Sequence, residues 1–318
     1  MTVRSFNYFI KLIFNDEKKV AAIVVTFNRK ELLVRCLQAL KKQTRQVDKI
    51  IVVDNCSSDG TPDLLKKAGY LSDSGVDYVR LPTNTGGAGG FYAGMKRAYE
   101  AGYDWLWMMD DDGFTASDCL EKLLEVSDKF SVIGSTVLST DDPTKLALKL
   151  RVLDQQGNFA IRQYIQTYDQ LLAAAIDGVY QGFANFFNGV LIHRDVVEKV
   201  GYIQKELFIW GDEYEYFIRI KSAQYTIVTK QDAFYYHPES LFKFTEIKHY
   251  HYFRNLFYIY RKYADSMYSG NAKYFYPVYT LIACLRSLPS SSPQYIMKML
   301  VAIIMASQKR LQPFEKSQ

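Results

Sequence analysis

Three consecutive carboxylates, Asp110, Asp111 and Asp112, follow the apolar stretch 105–109 and precede Gly113. Like charges this close repel one another unless a cation sits among them. In an extended segment residues i and i+2 point the same way, so Asp110 and Asp112 are expected to converge on one hard divalent ion while Asp111 points elsewhere. A solvated acidic turn with helix-capping aspartates would use the same residues without a metal. The run NTGGAGGF at 84–91 could bring backbone N–H groups against phosphates, with the next helix offering its positive end. It fits neither a GxGxxG pattern, because Tyr92 stands where the last glycine belongs, nor a P-loop, because Lys96 lacks the required glycine before it. A flexible turn is the competing reading. Trp210 and Gly211 precede Asp212, Glu213 and Glu215, an acidic first helical turn that could supply a general base. The helix dipole alone also favours such a turn. His237 ends a strand-like aromatic run before Pro238, whereas His249 and His251 lie in an aromatic helix where packing is expected and His193 is expected at the surface.

Alternating elements must position these groups. Residues 20–26 (VAAIVVT) read as a strand buried on both faces, after which Asn28 is expected to cap a helix, with Glu31 completing a capping box and Leu33, Cys36, Leu37 and Leu40 on one face. Strand 49–53, a turn at 55–60, a helix opened by Thr61 and Pro62, strand 77–81, the glycine loop 84–90, helix 91–101 and strand 105–109 continue the alternation. That order predicts an α/β fold with a mostly parallel, Rossmann-like sheet and flanking helices. Ligands bind such sheets at the carboxyl ends of the strands, which here are 26–29, 54–59, 84–90 and 110–112. Beyond about residue 140 the pattern loosens, with strands expected at 132–138, 188–193 and 225–228 and a helix at 212–223. Helices are expected at 249–263, 272–288 and 294–309.

With 318 residues, 48% of them hydrophobic, the chain can bury a large core, which excludes disorder and fibrous repeats. The net charge of +5 is too small to argue for nucleic acid. Its distribution is uneven, since residues 241–318 hold 11 Lys and Arg against 3 Asp and Glu, together with 16 aromatic residues. Four cysteines without a CxxC pair suit a reducing, cytoplasmic compartment. The N-terminal segment 1–19 lacks a cleavage site of signal-peptide type, and no apolar run approaches the ~18 to 20 residues of a spanning helix.

The segments VVTFNR at 24–29, VVDNCSSDGT at 52–61, NTGGAGGF at 84–91 and MDDD at 109–112 resemble, in this order, the signatures of family 2 nucleotide-sugar glycosyltransferases of GT-A fold. The resemblance covers about residues 20–240. Within that family, NTGGAGGF, WGDEYEYFIR at 210–219 and RNLFYIYRKY at 254–263 look most like bacterial galactofuranosyltransferases, with rhamnosyltransferases next. The resemblance implies that Thr26, Asp54 and Asn55 hold the uracil and ribose of a UDP-sugar, with Phe27, Asn28, Arg29, Asn84, Gly86, Gly87, Gly89, Gly90, Asp110 and Asp111 along the donor. Asp110, Asp112 and His237 would grip Mn²⁺ or Mg²⁺, which bridges the diphosphate. Glu213 would deprotonate the acceptor hydroxyl, with Asp212 as the residue to take its place and Trp210 on the acceptor side.

The implied activity is metal-dependent inverting transfer of a sugar, galactofuranose from UDP-galactofuranose foremost, to a hydroxyl of a growing, lipid-linked bacterial glycan. Rhamnosyl or other hexosyl transfer is the nearest rival. A sugar-phosphate nucleotidyltransferase would need a glycine-rich first loop where Thr26, Phe27, Asn28 and Arg29 stand, and a non-catalytic glycan-binding protein would not need the acidic triplet and Glu213. The expected organisation is an N-terminal extension at 1–19, a catalytic domain at 20–240 and a basic, aromatic helical appendage at 241–318. In the appendage Tyr250, Phe253, Phe257, Tyr260 and Tyr263 are expected to pack on the catalytic domain. Arg286, Lys298, Lys309 and Arg310, interleaved with Tyr279, Leu281, Ile282, Met299, Leu300, Ile303 and Ile304, would form an interfacial pair of helices on the inner face of the membrane or a contact between subunits.

Overall fold

The computed structural model describes residues 18–239, 245–286, 293–308 and 310–311. Most of the expected N-terminal extension, and the expected helix ends at 287–288 and 309, lie outside the described residues. The alternate residues of β1 (Val20–Thr26) serve two cores. Val20, Ala22 and Val24 pack with Leu33, Cys36, Leu37 and Leu40 of α1 (Lys30–Lys41) on one face. Ala21, Ile23 and Val25 pack on the other face with Ala88, Phe91 and Met95, which belong to α3 below. A strand buried on both sides has to be apolar throughout, as VAAIVVT is. β2 (Lys49–Asp54), α2 (Thr61–Lys67), β3 (Val76–Arg80), α3 (Gly86–Glu100) and β4 (Trp105–Asp110) follow. β1 lies parallel between β2 and β4, with Thr26 opposite Asp54 and Val25 opposite Asp110, so three strands end together.

β5 (Phe114–Thr115), α4 (Cys119–Leu124), β6 (Val132–Ser139), β7 (Lys145–Leu153), β8 (Phe159–Thr167), α5 (Tyr168–Ala174), β9 (Val179–Gln181), β10 (Asn188–His193), α6 (Arg194–Val200), α7 (Asp212–Ser222) and β11 (Ile227–His237) complete the layers around the sheet. The strand order is β3-β2-β1-β4-β10-β6-β11-β5, with β10 antiparallel between β4 and β6 and the β7–β8 hairpin attached to β6. The result is a mixed α/β fold with a mostly parallel central sheet. C-terminal helices α8 (Glu246–Met267), α9 (Ala272–Arg286) and α10 (Pro293–Ser307) follow the sheet. Tyr258 and Ile259 of α8 join the core that includes Phe217 and Ile218 of α7, while Tyr250 and Phe253 pack against Cys284, Tyr295, Met299 and Ala302.

Several elements differ from the sequence expectations. Asn28 does not cap α1: its backbone takes a left-handed φ of 53° and its side chain accepts from Ser58 N–H at 2.7 Å. The N-cap is Arg29, and the exposed Lys30 N–H is satisfied by Asp59 Oδ2 at 3.0 Å from another loop, so Glu31 completes no capping box. The glycine run is not a loop, because α3 already begins at Gly86. The hairpin β7–β8 was not expected, and β11 is far longer than 225–228. Register shifts between Lys145 and Leu150, between Arg151 and Leu153 and between Lys230 and Phe234, with a left-handed φ of 54° at Arg162, break the two-residue alternation that reveals a strand.

Candidate active site

β4 ends at Asp110, and Asp111 and Asp112 lie in the turn that follows. Alternation therefore stops at the second carboxylate, and Asp111 does not point away from Asp112. Arg29 Nη1 donates to Asp111 Oδ1 at 3.1 Å and to Asp112 Oδ2 at 2.6 Å, binding the turn to the end of β1. Thr26 Oγ1 donates to Asp111 Oδ2 at 2.6 Å. Burial pushes Asp111 up to about 6, with Arg29 and Thr26 opposing it. Burial, then the charges of Asp112 and Asp111, then Glu213, lift Asp110 well above the ordinary range. Burial also opposes charge on Asp112, yet His237 and Arg29 outweigh it and hold that carboxyl low.

His237, the last residue of β11, brings its Nε2 within 3.2 Å of Asp112 Oδ1. Its Nδ1 lies 2.6 Å from the Pro238 carbonyl, which can only accept, so Nδ1 carries a proton. With a proton on Nε2 as well, the ring donates to Asp112 Oδ1, the contact that lowers that carboxyl; in a neutral ring Nε2 is a lone pair and the two atoms are acceptors facing each other. Two acceptors turned towards each other fit a cation between them. Among the described residues no group of three or more His, Cys, Asp or Glu side chains that could hold a metal ion is gathered. A cation on Asp112 and His237 would draw its remaining ligands from a bound diphosphate and water.

On the opposite side, α7 starts after left-handed Trp210 (φ 60°) and Gly211 (φ 89°). Glu213 Oε2 accepts from Gly211 N–H at 3.0 Å. Asp212 is buried, and its carboxyl hydrogen-bonds with that of Glu213. Burial, then the neighbouring Glu213, raises Asp212 well above the carboxylate range. Burial raises Glu213 as well, with its own N–H, Asp212, Gly211 N–H and the Arg151 charge pulling the other way. Both carboxyls are raised, so the buried pair favours holding one proton between them.

The remaining sequence-predicted residues surround this pair and the aspartate turn. Asp54 is fully buried at the end of β2, accepts from Ser57 N–H at 2.7 Å and from the Tyr78 hydroxyl, and has Arg80 at 3.8 Å. Asn55 bridges to the start of α3, donating to Gly86 O at 3.0 Å and accepting from Thr85 Oγ1 at 2.9 Å, while Asn84 Oδ1 accepts from Gly86 N–H. Phe27 is exposed beside them. Most of the glycines are explained by packing. A Cβ on Gly86 would sit 2.0 Å from Phe208 O, one on Gly89 2.3 Å from Thr85 Oγ1, and one on Gly90 2.5 Å from Val25; at Gly87 nothing lies within 4 Å. Of the run, Gly87 alone presents open backbone. Trp210 stacks edge-on with Tyr252 and has Lys248 Nζ 5.7 Å from its ring.

Two residues of α8 were given no role by the sequence reading. Arg254 Nη2 donates to the carbonyls of Glu206 and Leu207, both at 2.9 Å, and Asn255 Nδ2 donates to those of Leu207 at 2.8 Å, Ile209 at 3.0 Å and Trp210. Both are buried, so α8 fixes the backbone that presents Asp212 and Glu213. The available signal was an Arg-Asn pair inside the aromatic run 250–260, since buried polar groups need partners.

Residues 21–194 match the family model for glycosyl transferase family 2. Galactofuranosyltransferase GlfT1 of Mycobacterium tuberculosis is 36% identical over 225 residues, which covers 70% of each chain. The protein of the same name from Mycolicibacterium smegmatis is 34% identical over 222 residues, covering 69% of this chain and 70% of the relative. Among solved structures, S. aureus TarS 1-349 in complex with UDP superposes with a TM-score of 0.56 at 16% identity, over 91% of this chain and 80% of that one. GalNAc-T7 with UDP, GalNAc and Mn²⁺ gives a TM-score of 0.57 at 15% identity, over 94% and 59%. Those likenesses bear on the fold, the α/β arrangement of GT-A glycosyltransferases. With its matched domain and its relatives taken together, the chain belongs to glycosyl transferase family 2 and is a glycosyltransferase.

Proposed function

We propose that the protein transfers galactofuranose from UDP-galactofuranose to a hydroxyl of a growing, lipid-linked bacterial glycan, with inversion at the anomeric carbon. The observation that carries this reading is the placing of the Asp110–Asp112 turn and the Asp212–Glu213 pair in one electrostatic neighbourhood, where Glu213 acts on Asp110 and Asp110 on Asp212. The two 34–36% identical relatives named as galactofuranosyltransferases support the choice of sugar. Glu213 takes the proton of the acceptor hydroxyl as its oxygen attacks the anomeric carbon, and the bond from that carbon to the diphosphate breaks with its electron pair leaving on UDP. Asp112 and His237 would hold Mn²⁺ or Mg²⁺, with Asp110 close by, and such an ion neutralises charge on the departing diphosphate. Thr26, Asp54 and the adjoining strand ends would hold the nucleoside, and the open space at Gly87 would leave room for its phosphates. The proposed division is a catalytic unit at 20–240 and a helical appendage from 241, a boundary that lies outside the described residues between the end of β11 at His237 and the start of α8 at Glu246.

The appendage supports a location on the membrane surface. No helix among the described residues is long and apolar enough to cross a membrane. α9 and α10 nevertheless expose Tyr274 (66%), Phe275 (69%), Tyr279 (59%), Met297 (62%) and Ile304 (57%). Met299, expected on that face, is instead buried against α8. Apolar burial with basic residues nearby suits anionic lipid. A nucleotide-sugar screen for UDP or dTDP release, with and without a chelator, tests the whole reading. Release from UDP-galactofuranose that needs a divalent ion supports it, release from dTDP-rhamnose would replace the sugar, and chelator-resistant turnover would remove the metal.

A further inference from the structure

Arg151 lies in β7, directly opposite Tyr164 of β8. Its guanidinium carbon sits 5.0 Å from the Phe159 ring centre, 5.5 Å from that of Tyr164 and 5.0 Å from that of Tyr214, the residue after Glu213. Its charge also acts on Glu213 itself and on Tyr252 of α8. Among the described residues no carboxylate lies within ion-pair distance of this guanidinium, and its Nε is buried without a hydrogen-bond partner. By contrast, Arg219 pairs with Glu215, and Lys230 with Asp232 and Glu125. A desolvated cation surrounded by rings is costly unless an anion joins it.

The guanidinium hydrogen-bonds the Tyr214 side chain but has no carboxylate partner among the described residues. From this cation, ringed by Phe159, Tyr164 and Tyr214 beside Glu213, we infer an anion subsite for the acceptor: Arg151 binds a phosphate group carried by the acceptor substrate. The inference rests on the glycosyl-transfer reading above and adds the class of group that the acceptor must carry. In the proposed reading the donor's diphosphate belongs at the Asp110–Asp112 turn, where Arg29 and not Arg151 is the neighbouring cation, so a second anionic site at Arg151 serves the other substrate. Arginine matches phosphate with two parallel donors, and the surrounding aromatic faces suit the apolar faces of a sugar or an isoprenoid chain next to that phosphate. The competing account is structural, with Arg151 holding the β7–β8 hairpin to α7 by cation–π contact.

Calorimetric titration with phenyl phosphate, in the presence of Mg²⁺ and saturating UDP, separates these accounts. Wild-type protein is expected to bind the probe with UDP in place, Arg151→Gln to bind it at least 10-fold more weakly, and Arg151→Lys to fall between them, all three with the same UDP affinity. Equal phenyl phosphate affinity in wild type and Arg151→Gln would overturn the inference, as would a variant that differs from wild type only by a lower melting temperature. Displacement of the probe by UDP would overturn it too, by assigning Arg151 to the donor. Failure of UDP itself to bind wild-type protein would strike at the underlying reading and not at Arg151.

Discussion

Asn255→Leu removes one amide from a helix outside the sheet and should slow the chemical step. The amide reaches three carbonyls of the loop before α7, those of Leu207, Ile209 and Trp210. At about 1 kcal/mol net for each bond, it contributes on the order of 2 to 3 kcal/mol to the shape of that loop. Against it stand Phe208 and Trp210, both left-handed at φ 66° and 60°, each costing about 1 to 3 kcal/mol. The strain, about 2 to 6 kcal/mol for the two residues together, is at least as large as the contribution of the amide, so its loss weakens the hold on the loop and leaves Arg254 to bear it. Without it, Asp212 and Glu213 should occupy their places for a small fraction of the time, and kcat should fall about 10- to 100-fold. Leucine matches the shape of asparagine, while Asn255→Asp keeps the oxygen that accepts from Arg254 Nε at 2.9 Å but loses the donors. Both variants should lose kcat and keep the affinity for UDP, because the strand ends that would hold it are built from β1, β2 and β4. Stopped-time UDP release with acceptor present gives kcat, and calorimetry gives the UDP affinity. A variant with wild-type kcat, or one whose UDP affinity falls as steeply as its rate, would refute the loop argument.

Glu213→Gln keeps the side-chain shape without a basic oxygen and is expected to reduce kcat by about 10² to 10⁴ with little change in donor affinity; near-normal turnover would transfer the role to Asp212. His251 is buried against Phe208, and burial, then Arg254, pulls its folded pKa down to about 3. The unfolded chain therefore binds a proton that the native state refuses, and stability should fall as the pH drops below about 6.5, by about 2 kcal/mol at pH 5. Denaturant titrations at pH 7 and pH 5 should register that slope and lose it in His251→Phe, and a slope unchanged by the substitution would assign it to other groups. Sedimentation with liposomes should recover the protein with anionic vesicles and not neutral ones, less so as salt rises, and removal of residues from 293 onward should weaken the binding; equal recovery in the supernatant with both vesicles would leave the exposed face of α9 and α10 as a contact between subunits.

The first half of the fold was legible because buried parallel strands such as VAAIVVT and IIVV have no alternative use for uninterrupted β-branched runs. It also displayed its site, since Thr26, Asp54 and Asp110 are the first polar residues after those runs and the parallel register aligns them. What was not legible depended on contacts distant in sequence. Asp59, 29 residues from Lys30, satisfies the start of α1, and no local capping pattern reveals that. The glycines at 86, 89 and 90 suggested a phosphate cradle, yet their neighbours are Phe208, Thr85 and Val25. The orientation of Asp111 was misjudged because a period-two rule was extended one residue beyond the end of the strand. Arg151 looked like an ordinary residue in a weak pattern, and only the convergence of β7, β8 and α7 leaves it without a counter-ion.

The loop at 205–211 joins the two halves of the site. From one side, Phe208 O accepts from Ala88 N–H at 3.1 Å, and Gly86 has no room for a side chain there, so the helix that begins beside the donor region is seated on this loop. From the other side, Arg254 and Asn255 grip Glu206, Leu207, Ile209 and Trp210. Its C-terminal end is Gly211, whose N–H holds Glu213. A displacement of α8 would therefore reach Glu213, the proposed general base, and the start of α3 through the same few peptide units. The aromatic residues of α8 thus have a reason beyond covering apolar surface: Tyr258 and Ile259, packed in the core shared with α7, hold Arg254 and Asn255 at the depth where their hydrogen bonds can be made. If α9 and α10 rest on lipid, the membrane bears on Asp212 and Glu213 through this helix, which would couple the position of the proposed lipid-linked acceptor to the loop proposed to receive it.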